Sequence, residues 1–184
     1  MSVASKYHAI LLNHDLDWSI SQGKSWYPYA WDTCVSIGTH FGVAPRRVAA
    51  VMAVTSPRAR WSVNKAVTRA IISDVKTYGG VRSEYRYNVL PANVLKANTI
   101  MTSRYYRDVI SGPKVSAFFD AICGNEDVVV VDSLMSKAAG FGVNVTDRIR
   151  SEVTLACYTI GDVLDICPRD AQAAVWCAYR ESAV

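Results

Sequence analysis

No apolar run in this 184-residue chain approaches the roughly 20 residues that a membrane-crossing helix needs. Residues 1–14 also lack the basic start and long apolar stretch of a secretory leader, so the expected location is the cytoplasm, with no membrane partner. Cysteine is sparse and scattered: Cys34, Cys123, Cys157, Cys167 and Cys177 are odd in number, and none lie two or three residues apart. That spacing argues against a disulfide scaffold and a compact zinc site, and the thiols read as small buried hydrophobes. His8, His14 and His40 have no metal-ligand spacing with a nearby cysteine or carboxylate. There is no internal repeat, low-complexity tract or disordered linker. Charge of one sign is not in large excess either: 20 Lys and Arg stand against 16 Asp and Glu, a formal net charge of +4. So small an imbalance permits a polyanionic partner without demanding one.

The chain is instead rich in apolar residues at helical spacing. Hydrophobic residues make up 51% and charged residues 20%, which suits a single compact domain over 1–184 with a sizeable core. The pattern predicts helices from near Pro28 onward, with Tyr27, Tyr29 and Trp31 packing an N-terminal arm onto the body. A helix over 31–41 is closed by Gly42, and Pro45 opens one that buries Val48, Val51, Met52 and Val54 before Ser56-Pro57 stops it. Residues 61–78 place Val63, Ala66, Val67, Ala70 and Ile71 on one face and Lys65 and Arg69 in solvent, ending at Gly79-Gly80. A polar, aromatic loop follows, and 79–91 is the expected lobe boundary. Pro91 opens a helix with Val94, Leu95, Ala97 and Ile100 inside. Further helices are expected at 115–123, 132–139, 145–166 (one or two, around Gly161) and 168–179. The last should bury Ala171, Ala174, Val175 and Ala178 and leave Arg169, Asp170, Gln172 and Arg180 accessible. The fold class is therefore all-α.

Two residues stand out chemically. Lys114 follows Gly112-Pro113 at a helix start, and Asp132 follows four valines at the next. A first-turn amine is disfavoured by the helix dipole, so a carboxylate or phosphate should compensate it. Asp132 has a simpler use as a helix cap. If both face one cleft, an amine opposite a carboxylate can do covalent chemistry at an electrophilic carbon.

The order of segments then becomes specific. VAAVMAVTSPRARWSVNKAVTRAI, VLKANTIMTS and GPKVSAFFDAICGNEDVVVVDSLMSKAAG, spanning about 47–140, resemble the helix-hairpin-helix (HhH-GPD) DNA glycosylase superfamily of endonuclease III type, most closely its small phage-encoded members. The resemblance implies a two-lobed helical fold with a central cleft, in which Lys114 and Asp132 are catalytic. It also implies a partner of double-stranded DNA with one nucleotide extruded into a pocket. Arg58, Arg60 and Trp61 then lie in the turn beside the extruded nucleotide, Gly112 is the second hairpin glycine, and Arg82 and Arg86 add basic contacts to DNA. Ile110 stands where the family has its first hairpin glycine. The C-terminal cysteines do not match the spacing of the iron–sulfur cluster that some members carry, so no cofactor is expected.

On that resemblance, Lys114 attacks the anomeric carbon as a neutral amine. Base departure leaves a Schiff base, and a strand-cleaving lyase step can follow; if the lysine only binds phosphate, Asp132 activates water instead. Two other classes stay open: an enzyme of nucleotide or modified-base metabolism on the same fold, and a catalytically silent protein that binds DNA or a partner. Base identity and oligomeric state are not legible in the chain.

Overall fold

The computed structural model describes residues 1–182, and among them the regular structure is entirely helical: nine α-helices and one 3-10 turn. No helix among these residues is long and apolar enough to cross a membrane. The chain divides into two compact units. The first joins Met1–Tyr29 to the chain from Gly124 onward, and the second is the continuous stretch Ala30–Cys123. The segment 79–91, expected as a lobe boundary, lies inside the second unit.

The second unit holds the later half of α2 (Leu16–Phe41), then α3 (Pro45–Thr55), α4 (Trp61–Tyr78), α5 (Pro91–Thr102), the 3-10 turn Arg107–Val109 and α6 (Pro113–Ile122). Helix α3 is its centre. Every residue from Val48 to Thr55 is buried, and α4, α5 and α6 all pack against it. A helix that is apolar around its circumference has to be covered on all sides. The expected stops hold: Gly42 takes φ +63° while Val43 N–H bonds the Gly38 carbonyl at 2.9 Å, a Schellman closure.

Helix α4 has the expected bounds but presents a different face. Ala66 and Ala70, expected inside, are exposed, and the buried face runs through Asn64, Val67, Thr68, Ile71, Ile72 and Val75. The reason is a buried polar tie between α3 and α4. Asn64 Nδ2 donates to the Met52 carbonyl at 3.0 Å, and Thr55 Oγ1 and Asn64 Oδ1 are hydrogen-bonded at 2.6 Å. Carbonyls at the end of α3 lack intrahelical partners, so a polar side chain there is worth more than a methyl group. Leu95 on α5, also expected inside, is exposed.

The first unit contains α1 (Val3–His14), the earlier half of α2, α7 (Ser133–Ala138), α8 (Asp147–Leu164) and α9 (Pro168–Ser182). Its core gathers Tyr7 and Leu11 of α1 with Val129, Val131, Met135, Val153, Ile160 and Val175. Here the expectation of an N-terminal arm before Pro28 is corrected: residues 3–14 and 16–41 are helical. The buried positions of early α2 are Ser19, Gly23 and Tyr27, so its inner face carries little hydrophobic signal. Gly23 is small because α9 lies on top of it: a Cβ there would stand 2.4 Å from the Asp170 carbonyl oxygen and 2.8 Å from the Ala174 Cβ. The residues expected to form one or two helices around Gly161 form the single helix α8, with Gly161 in its last turn.

Candidate functional site

Asp132 is the N-cap of α7. Its Oδ1 accepts from the amides of Leu134 at 2.9 Å and Met135 at 3.0 Å, so one carboxylate oxygen satisfies two of the orphan donors at the helix start. The valines before it explain its position: Val129, Val130 and Val131 are buried and carry the chain to the cap. The residue is half-buried. Its charge reaches the neighbouring phenols. Burial first, then Asp132, raises the Tyr27 hydroxyl well above its ordinary value, and burial, then Cys157 and Asp132, does the same for Tyr7. Both phenols therefore stay neutral and act as donors. Tyr7 donates to the Met135 carbonyl and Tyr27 to Gln172 Oε1, at 2.8 and 2.7 Å.

Three residues of α9 expected in solvent are buried in this unit. Arg169 is 6% exposed, Asp170 9% and Gln172 4%. Arg169 Nε bonds Asp170 Oδ1 at 2.9 Å, its other nitrogen lies 3.5 Å from Glu126, and its guanidinium faces the Tyr27 ring at 5.5 Å. Polar periodicity placed these side chains outward. They turn inward because each finds a partner there, Arg169 and Asp170 in each other and Gln172 in Tyr27, which sequence spacing cannot report.

Lys114 belongs to the second unit, where it is the second residue of α6 and half-buried. Gly112, the N-cap of α6, has φ +90° and ψ 139°, a conformation that side-chain-bearing residues rarely adopt. That accounts for glycine at this position. The segment VLKANTIMTS, which the resemblance gives as the helix before the hairpin, falls in α5, and the 3-10 turn Arg107–Val109 lies between it and α6.

The turn between α3 and α4 presents Arg58 and Arg60 to solvent and half-buries Trp61. Ala59 N–H bonds the Ser56 carbonyl at 3.1 Å, and Arg58, after Pro57, has φ +64°. This is the type II pattern, with arginine where glycine is preferred. Arg58→Gly is expected to raise stability by about 0.5–1 kcal/mol in urea unfolding, because the left-handed strain is relieved. No gain would show that the turn accommodates arginine without strain. Trp61 opens α4 and faces the Lys65 ammonium at 5.7 Å. Arg82 and Arg86 lie exposed in the loop after α4, Arg82 against the Tyr78 ring at 5.2 Å and Arg86 3.8 Å from Asp74.

Cys34, Cys157 and Cys177 are buried as expected, and burial pushes the Cys34 thiol up to about 12 and that of Cys177 to about 11. Cys123 and Cys167 are half-buried. No group of three His, Cys, Asp or Glu residues among those described is placed to hold a metal ion.

Charge is segregated between the units. The second carries thirteen Lys and Arg against five Asp and Glu, net +8, and the first seven against eleven, net −4. The modest total hides this. The protein is thus an all-helical, two-unit chain with one strongly basic unit. Residues 11–183 match a family described as "Family of unknown function (DUF7178)", and the chain belongs to that family. No curated protein and no solved structure matches it.

Proposed function

We propose that the protein is a DNA glycosylase of the HhH-GPD type, acting in the cytoplasm on a modified or unusual base extruded from DNA. The observation that carries this reading is the pair of helix starts: Lys114 two residues after a glycine at φ +90°, and Asp132 at the N-cap of α7. Support for a nucleic-acid substrate comes from the +8 charge of the unit that bears Lys114, together with Arg58, Arg60, Arg82 and Arg86 on its surface.

In this reading the lone pair of Lys114 Nζ forms a bond to the sugar C1′ while the C1′–N bond breaks, its electron pair leaving with the base, which takes up a proton. Loss of a proton from Nζ and opening of the sugar ring give the imine. Removal of the adjacent C2′ proton would then expel the 3′ phosphate in the lyase step. Asp132 supplies the carboxylate that accepts a proton and offsets positive charge on the sugar. Arg58 binds phosphate or occupies the gap in the base stack.

Asp132→Asn separates chemistry from capping, because the amide oxygen still accepts from Leu134 and Met135 while the charge is gone. Base release should fall roughly 10²- to 10³-fold with DNA affinity within about threefold and unchanged stability. The measurement is single-turnover release followed by mass spectrometry on DNA carrying modified bases. Unchanged turnover in the variant would remove Asp132 from the mechanism, and no released base from any DNA with wild type would remove the glycosylase reading.

A further inference from the structure

The +8 unit also carries exposed aromatic rings that its own packing does not use. Tyr78 is 61% exposed and Tyr105 75%, and each has an arginine over one face: Arg82 at 5.2 Å from the Tyr78 ring centre and Arg104 at 5.6 Å from that of Tyr105. A tyrosine ring left in water gains nothing from folding, and a guanidinium stacked on it keeps a cation beside a flat apolar surface.

These two pairs lie near one end of the α4–α5 packing. Val81 N–H, just past the end of α4, bonds Asn98 Oδ1 on α5 at 2.9 Å. From Asn98 to Ser103, the C-cap of α5, is five residues, a rise of about 7.5 Å at 1.5 Å per residue. Tyr105 follows two residues later, its amide held by Ser103 Oγ at 3.1 Å. Both ring–guanidinium pairs are thus anchored within roughly a turn or two of helix of the same point. The acidic groups in these segments are Asp74, already engaged by Tyr87 at 2.7 Å and Arg86 at 3.8 Å, with Glu84 in the loop and Asp108 in the 3-10 turn.

Duplex and single strands ask different things of such a surface. A duplex presents phosphates and hides its base faces, whereas an unpaired strand presents both and rewards aromatic platforms flanked by cations. The hairpin is a poor duplex clamp: Ile110 restricts its backbone, and Pro113 has no N–H to give. We propose that the second unit binds single-stranded DNA, with unpaired bases stacked on Tyr78 and Tyr105 and the adjacent phosphates neutralised by Arg82 and Arg104. This builds on the nucleic-acid reading above and is independent of the lysine chemistry.

The test is fluorescence anisotropy with full-length protein, a labelled oligothymidylate of about 15 nucleotides and a duplex of equal length, across a range of salt concentrations. The single strand is expected to bind at least about tenfold more tightly than the duplex. Tyr78→Ala with Tyr105→Ala should remove about tenfold or more of the single-strand affinity, little of the duplex affinity, and nothing from thermal stability. Phe at both positions should restore binding, because the ring and not the hydroxyl makes the stack. Equal or tighter binding of duplex, or an alanine pair that binds single strands like wild type, overturns the proposal. Failure to bind either DNA overturns it as well. A wild type that releases base from duplex alone sinks this inference and leaves the glycosylase reading intact. Tight, ring-dependent single-strand binding with no base release from any DNA does the reverse.

Discussion

Lys114→Ala is expected to abolish the protein–DNA adduct that borohydride traps on an oligonucleotide bearing an abasic site, a loss of roughly 10³-fold or more in trapped product. An abasic aldehyde bypasses base identity, so the experiment needs no knowledge of the natural substrate. Trapping requires an amine that can become neutral and form an imine, which hydride then reduces to a stable secondary amine. Lys114→Arg is the informative companion. Arginine keeps the positive charge at the start of α6 but does not lose its proton, so it should retain DNA affinity and form no adduct. Peptide mapping of the wild-type adduct should locate it on Lys114. Full trapping in either variant, or an adduct on Lys65 or Lys96, would show that Lys114 is only a phosphate-binding or surface lysine.

The largest effect on stability is expected from Asp170→Ala. The Arg169 guanidinium is 6% exposed and its close partner is the Asp170 carboxylate at 2.9 Å, with Glu126 farther off at 3.5 Å on the rim. Removing Asp170 leaves a buried cation with only the outer partner, which costs about 3–5 kcal/mol. Urea unfolding at neutral pH reads this directly. Replacing both residues, Arg169→Met with Asp170→Leu, should recover most of the loss because no unpaired charge remains in the core. A loss below about 1 kcal/mol for the single variant would mean that Glu126 and water compensate the guanidinium.

Most of the second unit was legible because its punctuation is strong. Pro45, Pro91 and Pro113 open helices, Gly42 and Gly79 close them, and α3 is apolar enough to be recognised as central. The first unit was less legible. The inner face of early α2 is built from Ser19, Gly23 and Tyr27, with Gly23 set by the close approach of α9, so it carries little hydrophobic periodicity. The polar residues of α9 carry no such periodicity either, because their burial depends on partners from α2 and on Glu126. Of the candidate site, the capping geometry of Asp132 and the need for glycine at 112 follow from local sequence. The strain at Arg58 does not, because nothing in Ser-Pro-Arg-Ala announces a positive φ at arginine. Charge segregation is not legible in the sequence for a different reason: a net charge is meaningful only over a folded unit, and the first unit is assembled from two distant stretches of chain.

That discontinuity also imposes an order on synthesis. Residues 30–123 are contiguous and become complete while the ribosome is still making the chain, so the basic unit can fold as soon as it emerges. Helix α1 has to wait. Tyr7 and Leu11 are fully buried against residues as late as Ala178, and at 5–20 residues per second those partners follow them by roughly 8–35 s. During that interval Tyr7 and Leu11 stay in water, which makes α1 a segment of this protein that a chaperone can shield.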